Sequence, residues 1–129
     1  MHIDHIALWT DKLEQLRDFY VRYFGCTASE RYDNPRKQFS SYFLSFQDGA
    51  RIELMKRSDI TKPPDGLRTG LAHFALLVGT AGEVDSLTAF LEKEGVTVEG
   101  YPRTTGDGCY ESVILDPDGN RIELTAHKQ

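Results

Sequence analysis

Two histidines and two glutamates occupy matching positions in two similar parts of this chain. Residues 118–124 repeat six of the seven residues of 48–54, and each copy ends in Arg-Ile-Glu-Leu. Upstream of each copy lies a second matched stretch, Asp-His-Ile-Ala-Leu at 4–8 and Ala-His-Phe-Ala-Leu at 72–76. The repeated residues that could do chemistry are His5, Glu53, His73 and Glu123. The repetition indicates a duplicated module that supplies one imidazole and one carboxylate per copy.

Imidazole nitrogens and carboxylate oxygens together suit a divalent metal such as Zn, Ni, Co, Mn or Fe(II). Successive side chains of a strand point to opposite faces, so Glu53 points away from Ile52 and Leu54. In the second copy, Glu123 points away from its two apolar neighbours in the same way. If helices cover the apolar faces, two modules related by a pseudo-twofold would bring all four residues to one concave surface, with open positions left for water or substrate. A single strand His or Glu is more often solvated or paired than a ligand. The repetition is therefore what favours a metal site.

The elements that must position these residues form the same series in each module: a strand, a helix and three strands. Capping-box spacing begins the first helix at Asp11 with Glu14 and the second at Thr80 with Glu83, and a Gly follows each helical stripe. The predicted strands are 2–9, 27–32, 38–46 and 50–56 in the first module and 71–78, 97–103, 109–115 and 120–126 in the second. The predicted fold class is therefore α+β, built from two tandem βαβββ modules.

The spacing between landmarks supports a duplication. His5 to Gly25 covers 20 positions and His73 to Gly95 covers 22, whereas the distance from that Gly to the Glu of the module is 28 in both copies. The whole length difference therefore lies before the end of the helix. Because loops accept insertions that strand register does not, we expect the extra residues in the strand-to-helix loop of the second module.

Length and charge limit the class of protein. A chain of 129 residues makes one domain, here with module one at about 1–57, a linker containing Pro and Gly at about 58–70, and module two at about 71–129. A formal net charge of −5 without a long basic run argues against a nucleic-acid partner. The most apolar stretch, 71–78, is too short to span a bilayer, and a signal-peptide pattern is missing. We therefore expect no membrane partner and a cytoplasmic location.

Several of these motifs resemble those of the vicinal oxygen chelate superfamily, and within it those of the glyoxalase I family. They are His-x-Ala-Leu at the start of each module, Phe19-Tyr20 and Gly25 near the end of the first helix, and Asp-Pro-Asp-Gly-Asn-Arg-Ile-Glu-Leu at 116–124. The resemblance covers essentially the whole chain. It implies that the two modules form a cupped, eight-stranded mixed sheet, usually in a homodimer.

The resemblance also implies a chemistry. A divalent metal ion would be held by His5, Glu53, His73 and Glu123 and would chelate adjacent oxygens of a small-molecule substrate. One or both of Glu53 and Glu123 would also move protons, as catalytic residues of a lyase or isomerase. Such an enzyme passes through a metal-stabilised enediolate formed from a small carbonyl compound or a thiol adduct.

Two positions depart from the pattern of the glutathione-using members of this family. Those members resemble one another in an Arg four residues after the first His and an Asn four residues after the first Glu, where this chain has Trp9 and Arg57.

Two alternative functions stay open. One is a thiol transferase or dioxygenase with a three-ligand His, His, Glu set, to which Glu53 would be an addition; the other is a metal-free drug-binding protein of the bleomycin-resistance type. His2 and His127 have no module partners and are predicted to be surface residues.

Overall fold

The chain divides into two compact units, the first Met1–Pro63 and the second beginning at Pro64. The structure is a computed structural model, and it describes residues 1–128. The division falls inside the segment 58–70, where the sequence predicts a linker. Each unit contains one α-helix and one mixed β-sheet.

The first unit follows the predicted order of elements, with one strand more than expected. Its elements are β1 (His5–Trp9), α1 (Leu13–Phe24), β2 (Thr27–Ala28), β3 (Tyr32–Asn34), a 3₁₀-helix (Pro35–Lys37), β4 (Phe39–Ser45) and β5 (Arg51–Arg57). The sheet order is β1-β5-β4-β2 with β3 paired to β4, and only β1 and β5 are parallel. The predicted strand 27–32 is wrong in its middle, where it divides into β2 and β3. There the Ser29 hydroxyl accepts the Phe43 N–H at 2.9 Å and replaces a backbone partner.

The second unit repeats this topology. Its elements are β6 (Phe74–Gly79), α2 (Ala81–Lys93), β7 (Val98–Thr104), β8 (Tyr110–Leu115) and β9 (Arg121–Ala126). The sheet order is β6-β9-β8-β7, and only β6 and β9 are parallel. The predicted α+β class with two modules is therefore confirmed. Residues 1–128 carry nine strands in two mixed sheets, rather than eight.

Each helix covers the apolar face of the sheet in its own unit. Leu13, Leu16 and Tyr20 of α1 are buried, and α1 packs on β4 and β5. Beneath it Ile52 and Leu54 are 3% and 0% exposed. Burial of each such side chain stabilises the fold by about 1.5–3 kcal/mol. A slip of β5 by one residue would lose this burial, so the register is fixed, and with it the outward direction of the odd-numbered residues of β5.

The first helix does not begin as the sequence predicts. The capping box expected at Asp11 and Glu14 is wrong, because Lys12 is the N-cap residue and no side chain caps it. The Glu14 carboxylate instead accepts hydrogen bonds from the Tyr42 hydroxyl at 2.8 Å and from Arg31 at 2.7 Å. These partners engage the carboxylate, which therefore does not cap the start of the helix.

The second helix begins with the capping box that the sequence predicts. The Thr80 hydroxyl accepts the Glu83 N–H at 3.3 Å, and the Glu83 carboxylate accepts the Thr80 N–H at 2.6 Å. The hydrogen bond from the Thr80 N–H is the main cause that holds the pKa of Glu83 below its usual range. Within residues 1–128, neither helix has the length and apolar character needed to cross a membrane.

The extra length of the second module does not lie in its strand-to-helix loop, so that prediction is wrong. Three residues, 10–12, connect β1 to α1, whereas Thr80 alone connects β6 to α2. The pairing of β6 with β9 shifts register between Leu77 and Gly79, and α2 is one residue longer than α1, with 13 residues against 12. From His5 to the start of α1 and from His73 to the start of α2 the separation is eight positions, so neither the loop nor the register shift adds net length. The two extra residues are the additional residue of α2 and Glu94, which stands between α2 and Gly95, whereas Gly25 directly follows α1.

Candidate functional site

In the first unit, His5 and Glu53 lie together on the sheet face that points away from α1. Because the neighbours of Glu53 in β5 are buried beneath α1, its own side chain points to the opposite face. Ala7 of β1 pairs directly with Glu53, and His5 precedes Ala7 by two residues on the same face. The His5 Nε2 atom is 3.9 Å from Glu53 Oε1. The two predicted ligands of this unit therefore face each other.

A carboxylate holds the second ring nitrogen of His5. His5 Nδ1 donates to Asp4 Oδ2 at 2.7 Å, and Arg51 donates to the same oxygen at 2.7 Å. The bond from His5, followed by that from Arg51, lowers the pKa of Asp4. The Phe43 ring contacts His5 edge-on, with 5.4 Å between ring centroids, and the Arg51 guanidinium lies over Phe43 at 4.5 Å. With the imidazole proton on Nδ1, the lone pair of Nε2 is free to face Glu53.

In the second unit, His73 and Glu123 form the equivalent pair. The neighbours of Glu123 in β9 are fully buried, so its side chain points away from α2. Ala75 of β6 pairs directly with Glu123, as Ala7 does with Glu53. His73 lies one residue before β6 begins, whereas the sequence predicts it inside a strand. Even so, its Nε2 atom is 3.2 Å from Glu123 Oε1.

The donor types and distances of both pairs suit a divalent metal. Two ligands about 2.1 Å from one ion in tetrahedral geometry lie about 3.4 Å apart, and the observed distances of 3.9 Å and 3.2 Å bracket that value. In the part of the chain that the structure describes, no group of three or more His, Cys, Asp or Glu side chains is arranged to hold a metal ion. The structure thus shows one pair in each unit. His2 and His127 are exposed, as predicted.

Glu111 is a further carboxylate of the second pair that sequence reasoning missed. It lies on β8 opposite Thr125, diagonally across from Glu123, and it is only 8% exposed. Its buried Oε2 atom has no hydrogen-bond partner within residues 1–128. Burial raises the pKa of Glu123, and the neighbouring Glu111 carboxyl raises it further. The equivalent residue of the first unit is Ser41, so a comparison of the two modules does not point to Glu111 as a functional residue. The sequence feature that could have identified it is an acidic residue inside an otherwise apolar strand.

Aromatic side chains occupy the other end of the sheet face that carries His5 and Glu53. Trp9 and Phe39 meet edge-on with ring centroids 6.3 Å apart, and Tyr32 contacts Phe39 at 6.2 Å. The Arg57 guanidinium lies over the Trp9 ring at 5.1 Å and donates to Asp59 at 2.6 and 3.2 Å. The two positions that depart from the glutathione-using pattern are therefore in contact with each other.

The comparisons with known proteins agree with the fold and with the repeated motifs. Residues 2–124 match the family model of the Glyoxalase/Bleomycin resistance protein/Dioxygenase superfamily. The chain is 27% identical to a lactoylglutathione lyase of Arabidopsis thaliana over 124 residues, which are 93% of this chain and 42% of that protein. It is also 27% identical to a catechol-2,3-dioxygenase of Bacillus subtilis over 129 residues, which are 98% of this chain and 42% of that protein.

The chain thus spans about two fifths of the length of these curated relatives. Its fold is similar to the crystal structure of a glyoxylase/bleomycin resistance protein/dioxygenase domain from Frankia, with a TM-score of 0.85 and 18% identity. That match covers 100% of this chain and 93% of the other. The chain belongs to the glyoxalase/bleomycin resistance protein/dioxygenase superfamily.

Proposed function

We propose that the protein is a metal-dependent lyase or isomerase, similar to glyoxalase I, that moves a proton on a small carbonyl compound or thiol adduct. The observation that carries this proposal is the His–Glu pair repeated in each unit. In each pair the Nε2 atom faces a carboxylate oxygen, at 3.9 Å and 3.2 Å, on the sheet face opposite the helix. The similarity to a lactoylglutathione lyase supports the same reaction class.

The proposed ligands are His5, Glu53, His73 and Glu123. Two imidazole nitrogens and two carboxylate oxygens fit Ni, Zn, Co, Mn or Fe(II), and four protein ligands leave positions open on an ion of higher coordination number. When bound, the ion supplies Lewis-acid stabilisation of negative charge on two adjacent substrate oxygens.

The chain's own residues supply binding and proton transfer. The Asp4 bond to Nδ1 keeps the His5 ring turned so that Nε2 points at Glu53. The side chains of Glu53 and Glu123 are 19% and 21% exposed, so each carboxylate is partly withdrawn from water. Burial, together with the neighbouring Glu111 carboxyl, raises the pKa of Glu123. One of them takes a proton from the carbon next to the carbonyl group, and it returns the proton to the adjacent carbon.

A substitution that keeps shape and removes basicity tests this assignment. Glu53→Gln should retain most of the metal and should lose about 10²–10⁴-fold in rate if Glu53 is the base. The rate to measure is deuterium uptake from solvent into hydroxyacetone, followed by NMR, with metal content determined on the same samples. Glu30→Gln, at an exposed position outside the pair, is the matched control. Parental exchange by metal-loaded Glu53→Gln protein would show that Glu53 is not the base.

A dioxygenase is the second candidate, favoured by the similarity to the Bacillus subtilis catechol-2,3-dioxygenase. In that function His5, His73 and Glu123 would hold the metal and Glu53 would be an additional carboxylate. Oxygen consumption with catechol in the presence of Fe(II) distinguishes the two functions. Uptake of oxygen without deuterium exchange into hydroxyacetone would favour the dioxygenase and would count against the lyase.

The proposal includes a homodimer, which the family resemblance implies. If the ligands of one ion come from two chains, a mixture of His5→Ala and His73→Ala proteins regains one intact ligand set in each mixed dimer. If they come from one chain, every set in the mixture lacks a histidine and metal binding is not restored. Sedimentation of the mixture gives its oligomeric state, and the metal content of the sedimenting species shows whether metal binding is restored.

A further inference from the structure

The sheet face that carries His5 and Glu53 continues into an exposed aromatic cluster, which we call the Trp9 cluster and define as Trp9, Tyr32, Phe39 and Arg57. Trp9 pairs with Met55, two residues beyond Glu53 along β5, and therefore lies about 7 Å further along the face. Ala7 is the only β1 side chain between His5 and Trp9 on this face. Between these two residues β1 therefore adds only a methyl group to this face.

Two of the three rings of the Trp9 cluster are exposed on the sheet face. Trp9 is 41% exposed and Tyr32 is 54% exposed, although both rings contact the Phe39 ring that lies between them. Arg57 stacks on Trp9 and also donates two hydrogen bonds to Asp59, so its charge is compensated. The surface therefore presents flat apolar rings with little net charge. Such a surface suits a flat apolar group better than a free carboxylate.

On the basis of the proposed function, we propose that the Trp9 cluster binds a flat apolar substituent of the substrate, such as an aromatic ring, while the reacting oxygens lie at the His5–Glu53 pair. The separation of about 7 Å along the strands corresponds to a ring joined to the oxygen-bearing carbons through one or two bonds. The substrate class is then an aryl-substituted carbonyl compound or its thiol adduct.

Trp9 is the single tryptophan of the chain, so its fluorescence reports on the cluster directly. The probes are 3-phenyllactate and lactate, which carry the same adjacent hydroxyl and carboxylate oxygens and differ in a benzyl or methyl group. We expect 3-phenyllactate to change Trp9 fluorescence and to bind about ten-fold more tightly than lactate, because the ring adds aromatic contact area. Phe39→Ala keeps the reporter and should remove that preference. Phe90→Ala, an exposed aromatic truncation on α2, is the matched control and should keep it.

The measurement is made on the intact protein with added Ni²⁺ and again with chelator, so that the cluster and the metal are tested separately. A preference for 3-phenyllactate that persists with chelator supports the cluster even if the protein holds no metal. Metal binding with equal affinity for both probes overturns the cluster proposal and leaves the proposed function intact. A Trp9 spectrum that shifts with protein concentration and ignores both probes would assign these rings to a protein interface and would also overturn it.

Discussion

Asp4 allows the most specific prediction about the first pair, because the second pair lacks its counterpart. Asp4 accepts a hydrogen bond from His5 Nδ1 at 2.7 Å, whereas the residue that precedes His73 is Ala72. A carboxylate behind a histidine ligand fixes the ring and its tautomer and increases the basicity of the metal-binding nitrogen. We therefore predict that Asp4→Ala weakens metal binding while the fold is kept.

The size of the effect follows from the exposure of the site. Loss of such an outer partner typically costs about 10–100-fold in metal affinity or activity. The Asp4 side chain is 65% exposed and shares its oxygen with Arg51, so water replaces part of the interaction and we expect the lower end, about 10-fold. Asp4→Asn keeps an acceptor oxygen for Nδ1 and should lose less.

Competition with a chromophoric chelator, using Co²⁺, measures this affinity without any assay of activity. Asp18→Ala removes another exposed carboxylate, one paired with Arg17 on α1, and is the matched control. Equal Co²⁺ affinity of the Asp4→Ala, Asp18→Ala and parental proteins would refute the role of Asp4. A loss of helical circular dichroism in Asp4→Ala would instead assign the residue to stability.

Three further predictions concern the fold and the substrate. The hydrogen bond from the Thr80 N–H lowers the pKa of Glu83, so the stability that Glu83 contributes is present above the ordinary pKa of Glu and is lost as pH falls through the lowered value. Between about pH 6 and pH 3, the free energy of unfolding measured in urea should therefore fall less in Glu83→Gln than in the parent. Leu124→Ala, at a fully buried position of β9, should cost about 2–5 kcal/mol in the free energy of unfolding, whereas Leu77→Ala, at a 59% exposed position, should change it by about 0.5 kcal/mol or less. Because Arg57 is engaged by a ring and a carboxylate, the hemithioacetal of glutathione and methylglyoxal should be a poor substrate; a kcat/KM of about 10⁴ M⁻¹s⁻¹ or more would contradict this.

The parts of the structure set by strand periodicity and repetition could be predicted from the sequence. The alternation in Ile52-Glu53-Leu54 fixes which side chain faces the helix, since two apolar residues gain burial only if the Glu between them points away. The repeated Arg-Ile-Glu-Leu segments then predict the same orientation in β9. Each predicted His–Glu pair within a unit follows from this alternation and from the pairing of the first and last strands.

The features that depend on partners distant in sequence could not be predicted. The position of Glu111 beside Glu123 depends on the register of β8 against β9, which no local pattern specifies. The failed capping box at Asp11 has the same origin, because Tyr42 and Arg31 engage the Glu14 carboxylate through tertiary contacts. The two extra residues of the second module likewise lie at the C-terminal end of its helix rather than in the loop before it, a difference that the spacing of landmarks alone does not locate.

The central claim is that the two pairs serve one metal ion, and the stoichiometry of single-histidine variants tests it most directly. The protein, loaded with Ni²⁺ and freed of excess metal, should hold one ion per chain. His5→Ala and His73→Ala should each lose nearly all of it, since each variant removes one ligand from the same set. Two ions per chain, with loss of only one of them in each variant, would show that the pairs act independently and would contradict the claim.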